Sequence, residues 1–327
     1  MNTNFQTPIL LISFNRPVHT QQVFEEIKKQ KPRYLFVFQD GARLNNIDDV
    51  EKCANVRSIF SENIDWDCEF KSYYSDSNLG CGNGPVTGIN WFFDHVEKGI
   101  IMEDDCYPHT DFFSYCEELL TKYQENNEVM VIGATTYYDN YPCQDSYLFT
   151  RYFTGGAWAT WRRAWNGFSL DLENIETDLL KKIIRNQFYS SAEINWWVKK
   201  TKEIKKDTSK KDYWDYQMQI NLLYNNGLAV RPKNNLISNI GFDDEGTHTL
   251  ENDSRGERKI YSCFPLIHPL TIAVNKKNDY LFMAKEHQKR IDKRIIFWMY
   301  NLMFNSNGLL NKLLFYYKKR KKAWKNR

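Results

Sequence analysis

Three acids in a row, Glu103, Asp104 and Asp105, are the residues of this chain best suited to chemistry. They follow the apolar run Ile100, Ile101 and Met102, which reads as the end of a buried strand. A strand cannot bury three adjacent carboxylates without partners, because each charge loses its hydration. The acids are therefore expected where the strand leaves the sheet, at its carboxyl end, where open α/β sheets bind ligands. Pro108 and Asp111 then suggest a turn, with Thr110 or Asp111 capping a new helix. Oxygen ligands so placed suit a hard divalent cation, Mn²⁺ or Mg²⁺. Such a cation is wanted wherever a diphosphate must be held or expelled. Taken alone, the same triplet is also what an acidic surface turn looks like.

Other candidates stand at the ends of other expected strands. Asn15 and Arg16 follow the apolar run of residues 8–14, and Asp40 follows that of residues 34–38. Arg16 could pair with phosphate or stack on a base. Asp40 could accept hydrogen bonds from a base or ribose. Their plainer readings are a surface cation and an Asp-Gly turn. Gly155-Gly156 permits close backbone approach. Trp158, Trp161 and Trp165 could offer flat faces to a sugar, although this spacing also describes one face of a helix in the core. Asp215 follows Trp214 near a helix start, where the dipole favours a carboxylate, so helix capping is its plain role. His248, in the polar loop 240–249, could serve a metal or a diphosphate. Gly80-x-Gly82-x-Gly84 lacks the spacing of a dinucleotide fingerprint, and no P-loop is present.

These residues need a scaffold that brings strand ends together. Strands are expected at 8–14, 34–38, 68–74, up to 102, 128–132 and 228–230. Helices are expected at 17–29, around 89–96, 175–185, 194–204 and 217–224, with residues 76–84 as a loop. Strands alternating with helices at short spacing call for an α/β fold with a mostly parallel sheet flanked by helices. A polar, turn-rich stretch near residues 135–146 separates a first half, 1–145, from a second, 146–275. Residues 276–327 form a tail of different character, with helical stripes at 295–303 and 310–317. Neither stripe is long enough to span a bilayer.

Composition narrows the partners. The formal charge is +3, but residues 310–327 hold eight Lys/Arg and no acid, leaving a body with 36 basic and 41 acidic groups. That body gives a nucleic-acid partner no electrostatic support. An amphipathic stretch ending in seven cations among residues 318–327 has the composition of a segment lying on an anionic membrane surface. Seven cysteines, an odd number with no Cys-x-x-Cys, favour free thiols in a reducing compartment. The first residues lack a basic region and a long apolar core, so a cytoplasmic protein, peripheral on the inner face of the membrane, is expected.

An ordered set of motifs resembles the GT-A glycosyltransferases, most of all the N-acetylglucosaminyltransferase I type and a group of bacterial sugar transferases of surface polysaccharides. The matching residues are Leu11-Ile-Ser-Phe-Asn-Arg-Pro17, Phe38-Gln-Asp-Gly41, Ile101-Met-Glu-Asp-Asp-Cys-Tyr-Pro108 with Asp111-Phe-Phe113, Phe153-Thr-Gly-Gly-Ala-Trp158, Tyr213-Trp-Asp215, Arg231-Pro232, and Gly241-Phe242 with Gly246. The resemblance spans roughly residues 8–250 and implies a GT-A fold. It implies that Asp105 ligates the cation, that Glu103 and Asp104 contact the donor's sugar and ribose, and that Arg16 and Asp40 hold the base. Asn15, Gly156 and Trp158 fall in the donor-side motifs. Asp215 matches the general base, and residues 241–249 the loop that closes over the donor. Asn15 stands where the compared enzyme has an acid, His248 has no secure counterpart, and residues 166–211 do not align. The implied activity is metal-dependent, inverting transfer from a nucleotide-diphosphate sugar, with UDP favoured, to a glycan or lipid-linked glycan. Two rival readings remain: a sugar nucleotidyltransferase, and a non-catalytic membrane-surface or glycan-binding protein. The former carries a Gly-rich turn after its first strand, where this chain has Phe14-Asn15-Arg16-Pro17.

Overall fold

The computed structural model describes residues 5–136, 143–188, 190–207, 213–242, 258–276, 278–280 and 282. The chain divides into two compact units, Met1–Lys276 and Lys277–Arg327, and every element named below belongs to the first. Residues 278–280 of the second unit are helical. The tail stripes at 295–317, the basic stretch 318–327 and His248 lie outside the described residues. Among the described residues, no helix is long and apolar enough to cross a membrane.

In chain order the first half runs β1 (Ile9–Ser13), α1 (Pro17–Gln30), β2 (Tyr34–Gln39), α2 (Ile47–Asn63), β3 (Glu69–Tyr74), α3 (Gly80–His95), β4 (Lys98–Glu103), β5 (Cys106–Pro108), α4 (Asp111–Lys122) and β6 (Val129–Gly133). The second half adds β7 (Tyr147–Thr150), β8 (Ala157–Trp161), α5 (Arg162–Trp165), α6 (Thr177–Ile184), α7 (Ser191–Lys206), α8 (Asp215–Tyr224), β9 (Leu228–Pro232) and β10 (Ile237–Asn239). Eight strands form one sheet in the order β3-β2-β1-β4-β8-β6-β9-β7. Only β7 and β8 run against the other six, so the sheet is mostly parallel. β5 and β10 make a separate antiparallel pair.

β1 shows why the sheet lies in the interior. All five of its residues are buried, and they alternate between two cores. Ile9 and Leu11 join Val23, Phe24, Val56, Phe60 and Phe112 from α1, α2 and α4. Leu10 and Ile12 join Ile89, Phe92, Trp165 and Met218 from α3, α5 and α8. Helices therefore cover both faces, which is what a continuous apolar strand requires.

Three sequence expectations change. Trp158 and Trp161 lie on β8, three residues apart, so they enter opposite cores instead of sharing a helix face. Residues 80–84 are the first turn of α3, not a loop. Gly84 and Gly88 of this helix let it closely approach β2 and the Asp40 that follows it: a Cβ on Gly88 would sit 2.7 Å from the Phe38 ring, and one on Gly84 3.3 Å from Asp40 Oδ2. α2 is also absent from the sequence reading. Its buried residues, Asp49, Cys53, Val56, Ile59 and Phe60, begin with an acid, while its apolar Ile47 and Val50 are exposed.

Candidate active site

Strand register assembles the site. Ser13 lies opposite Gln39, and Ile12 opposite Glu103. Asn15 and Arg16, Asp40, and the triplet Glu103 to Asp105 thus leave the sheet at one carboxyl edge, as expected of an open α/β sheet. β8 starts beside them, and the Gly156 carbonyl accepts the Glu103 N–H at 2.8 Å.

The triplet is held by the chain around it. Asp104 Oδ2 accepts the Phe14 N–H at 3.1 Å and the Thr20 hydroxyl at 3.4 Å. Asp105 Oδ2 pairs with Arg16 Nη1 at 3.3 Å, and both side chains are largely buried, at 17% and 12% exposure. Asp105 Oδ1 accepts from the Asn239 amide at 3.2 Å and the Cys106 thiol at 3.4 Å. A strap after β10 closes over this residue. The Ile240 N–H donates to the Asp105 carbonyl at 2.8 Å, and the Ile240 carbonyl meets His19 Nε2 at 3.2 Å. Gly241 approaches so closely that a Cβ there would collide with Asp105 Oδ2 and lie 2.6 Å from Arg16 Nη1.

Crowding raises the pKa values of Glu103 and Asp104. Burial, then the charges of Asp105, Asp104 and Asp215, push Glu103 well above the usual carboxylate range. Burial and the Asp105 charge outweigh the Phe14 and Thr20 hydrogen bonds and the Arg16 charge, and bring Asp104 up to about 7. Burial above all, with Asp105 next, pushes the Cys106 thiol far up, so it stays protonated. Ligand atoms of Glu103, Asp105 and Cys106 lie within 4.8 Å of one another. Two carboxylates of this kind fit a hard divalent cation. The protonated thiol is a hydrogen-bond donor to Asp105 and adds little as a ligand.

The remaining sequence candidates have mixed placements. Asp215 opens α8, is exposed, accepts the Tyr216 N–H at 2.8 Å, and stands near enough to Glu103 for its charge to act there. Asp40 turns its carboxylate to its own surroundings. Its oxygens accept from Gly41 N at 2.9 Å, Leu79 N at 2.8 Å, Gly80 N at 3.0 Å and the Asn78 amide at 3.1 Å. It thereby ties β2 to the start of α3. The Asn15 amide donates to Asp49 at 2.7 Å. Gly156 adopts φ +90°, and a Cβ there would lie 2.8 Å from the Cys106 sulfur. Trp158 is corrected as a donor contact: it is fully buried, packed against Phe153 and Trp214, and cannot touch a ligand. Trp161 and Trp165 are core as well. Of the loop 241–249, only Gly241 and Phe242 are among the described residues.

Sequence reasoning missed the supports of the site. Asp49 is fully buried beneath the β1–α1 turn and takes two bonds from the Arg43 guanidinium, at 2.6 and 2.7 Å. The Arg43 hydrogen bonds lower its pKa to about 2. Asn239, Thr20 and His19 were equally silent, because their contacts join residues 84 to 221 positions apart.

No family model matches the chain, and no curated protein matches it. Among solved structures, mouse xyloside xylosyltransferase 1 in its apo form is 10% identical, with a TM-score of 0.34, over 67% of this chain and 81% of that one. Apo UDP-glucose pyrophosphorylase is 8% identical, with a TM-score of 0.34, over 71% and 93%. HddC from Yersinia pseudotuberculosis is 8% identical, with a TM-score of 0.28, over 48% and 77%. Scores this low assign the chain neither a family nor an activity.

Proposed function

We propose that this chain is a metal-dependent glycosyltransferase. It would move a sugar from a nucleotide-diphosphate sugar, with UDP favoured, to a hydroxyl of a glycan or lipid-linked glycan, with inversion. The observation that carries this reading is the partly buried triplet Glu103-Asp104-Asp105 at the shared edge of β1, β2 and β4, with the Asp215 carboxylate near enough to act on Glu103. Asp105 and Glu103 would hold Mn²⁺ or Mg²⁺, and when bound the cation offsets negative charge on a departing diphosphate. Asp104, anchored by Phe14 and Thr20, would accept a donor hydroxyl once ionised. Arg16 would supply positive charge toward the nucleotide. In the transfer, the acceptor oxygen bonds to the sugar's anomeric carbon as the carbon–oxygen bond to the diphosphate breaks. The acceptor's proton passes to the Asp215 carboxylate. The basic tail would keep the protein on an anionic membrane, beside a lipid-linked acceptor; deleting residues 295–327 should then abolish sedimentation with anionic vesicles.

The test is thermal stabilisation by a panel of nucleoside diphosphates and nucleotide sugars with Mn²⁺, Mg²⁺ or EDTA. A shift with one nucleotide that needs the cation and is absent in Asp105→Ala supports the donor site. No shift in folded protein refutes it. The nucleotidyltransferase reading shares the carboxylates, and release of pyrophosphate from a nucleoside triphosphate and a sugar 1-phosphate would establish it instead.

A further inference from the structure

The segment Tyr213 to Tyr216 is pinned by one inward tryptophan. Trp214 is 6% exposed and packs on Phe153 at 5.7 Å, Trp158 at 5.9 Å and Trp165 at 6.4 Å between ring centroids. Its neighbours are left near the surface. Tyr213 is 45% exposed, and its ring meets that of Tyr216, which is partly exposed, at 5.9 Å, edge to face. α7 repeats the arrangement. Trp197 is buried against Tyr152, while Trp196 is partly exposed and lies 6.0 Å from the Tyr216 ring. The Lys200 ammonium sits 4.1 Å from the centre of the Tyr216 ring and 5.9 Å from that of Tyr213. Two rings from α7 and α8, the Tyr213 ring just before α8 and the Lys200 ammonium thus cluster at the segment that carries the exposed Asp215.

We propose that Tyr213, Tyr216 and Trp196 line the acceptor subsite, where the exposed Tyr213 ring stacks on one pyranose ring of a saccharide and the inclined Tyr216 and Trp196 rings wall it. The inference rests on the glycosyltransferase reading. A pyranose has an apolar face of C–H groups and a rim of hydroxyls. Flat aromatic rings match the face, and Tyr and Trp combine large apolar area with few rotors and a polar tip. Lys200 and the tyrosine hydroxyls reach the rim, the small polar set that fixes orientation in such sites. Stacking beside Asp215 would hold one hydroxyl at the carboxylate that takes its proton. The platform also replaces the buried Trp158, Trp161 and Trp165 as the surface that meets sugar.

The test uses the full chain and a panel of methyl glycopyranosides and neutral disaccharides. Binding is followed by saturation-transfer NMR and tryptophan fluorescence, and nucleotide-sugar stabilisation is measured in parallel. At least one disaccharide should bind, with its strongest saturation on one ring face. Tyr213→Ala and Trp196→Ala should each weaken it about tenfold, and Tyr213→Phe should keep it within about twofold, because the stacking face is retained. Nucleotide-sugar stabilisation should be unchanged in all three variants. Nucleotide-sugar binding without saccharide binding, or saccharide binding indifferent to both alanine variants, overturns the subsite. Saccharide binding that depends on the rings, without nucleotide-sugar binding, sinks the glycosyltransferase reading and leaves the platform as a glycan site. If Tyr213→Ala lowers sedimentation with anionic phospholipid vesicles and leaves saccharide binding intact, the rings face a membrane and the proposal is wrong.

Discussion

Replacing Asp104 by Asn should stabilise the cation-free protein, and more so as pH rises. Asp104 titrates at about 7 in the fold against 3.8 when unperturbed. Between those values the folded state holds a proton that the unfolded chain has lost, so wild-type stability falls with rising pH. At about 1.4 kcal/mol per pH unit the ceiling is about 4 kcal/mol at pH 8, of which about 1.7 kcal/mol is already present at pH 5. The variant keeps the shape and an oxygen that can accept the Phe14 N–H, now 3.1 Å away. Removing one charge also eases Glu103, so the change in slope belongs to the cluster as a whole. The stability curves of the two proteins should therefore part by about 2 to 3 kcal/mol between pH 5 and pH 8, or about half that after local relaxation. The assay is urea unfolding in EDTA at four pH values, wild type against variant. A gap that stays constant across this range, or a variant less stable than wild type at pH 8, would show that the triplet is solvated and refute the crowding argument.

Asp215→Asn should abolish sugar transfer while leaving nucleotide-sugar stabilisation nearly intact, since an amide can still accept the Tyr216 N–H; retained transfer removes Asp215 as the base. Gly241→Ala would drive a methyl group into the Asp105–Arg16 pair. It should weaken Mn²⁺ binding at least about tenfold in a titration, with the far-ultraviolet spectrum unchanged. Asp49→Asn strips two charge-assisted bonds from Arg43 and should destabilise the protein by about 2 kcal/mol at pH 7. Asp49 is held near pH 2 in the fold, so its contribution is complete above about pH 4 and disappears as pH falls toward 2. The deficit of the variant should shrink over that window, and a deficit independent of pH would show that the ion pair is not its source.

Local pattern carried much of the scaffold. The run at residues 8–14 became β1, that at 34–38 became β2, and the helix opened by Pro17 ends at Gln30, one residue beyond its expected end. The apolar stretch before Glu103 became β4, and α4 opens at Asp111, although Thr110 before it makes no capping hydrogen bond and the Asp111 N–H goes to His109 Nδ1 at 3.1 Å instead. These features depend on periodicity and end signals within a dozen residues. α2 escaped because Asp49 occupies a core position there while Ile47 and Val50 face solvent, which inverts the pattern that marks an amphipathic helix. The tryptophans misled for a related reason: a spacing of three or four fits a helix face, but antiparallel pairing with β4 and β6 draws Trp158 and Trp161 into a strand.

What the sequence determined by itself was which residues could do chemistry and that several strands would end in them. Adjacent carboxylates after an apolar run must leave the sheet, whatever the rest of the chain does, because burying them unpaired is too costly. Tertiary structure alone decided what each of those residues contacts. Asp40 bonds to the start of α3, Asn15 to Asp49, and Asp105 to Arg16 and Asn239. It also buried Trp158 and left Tyr213 exposed. Partner choice depends on register and on contacts across as many as 221 positions, as between His19 and Ile240, and no local pattern encodes either.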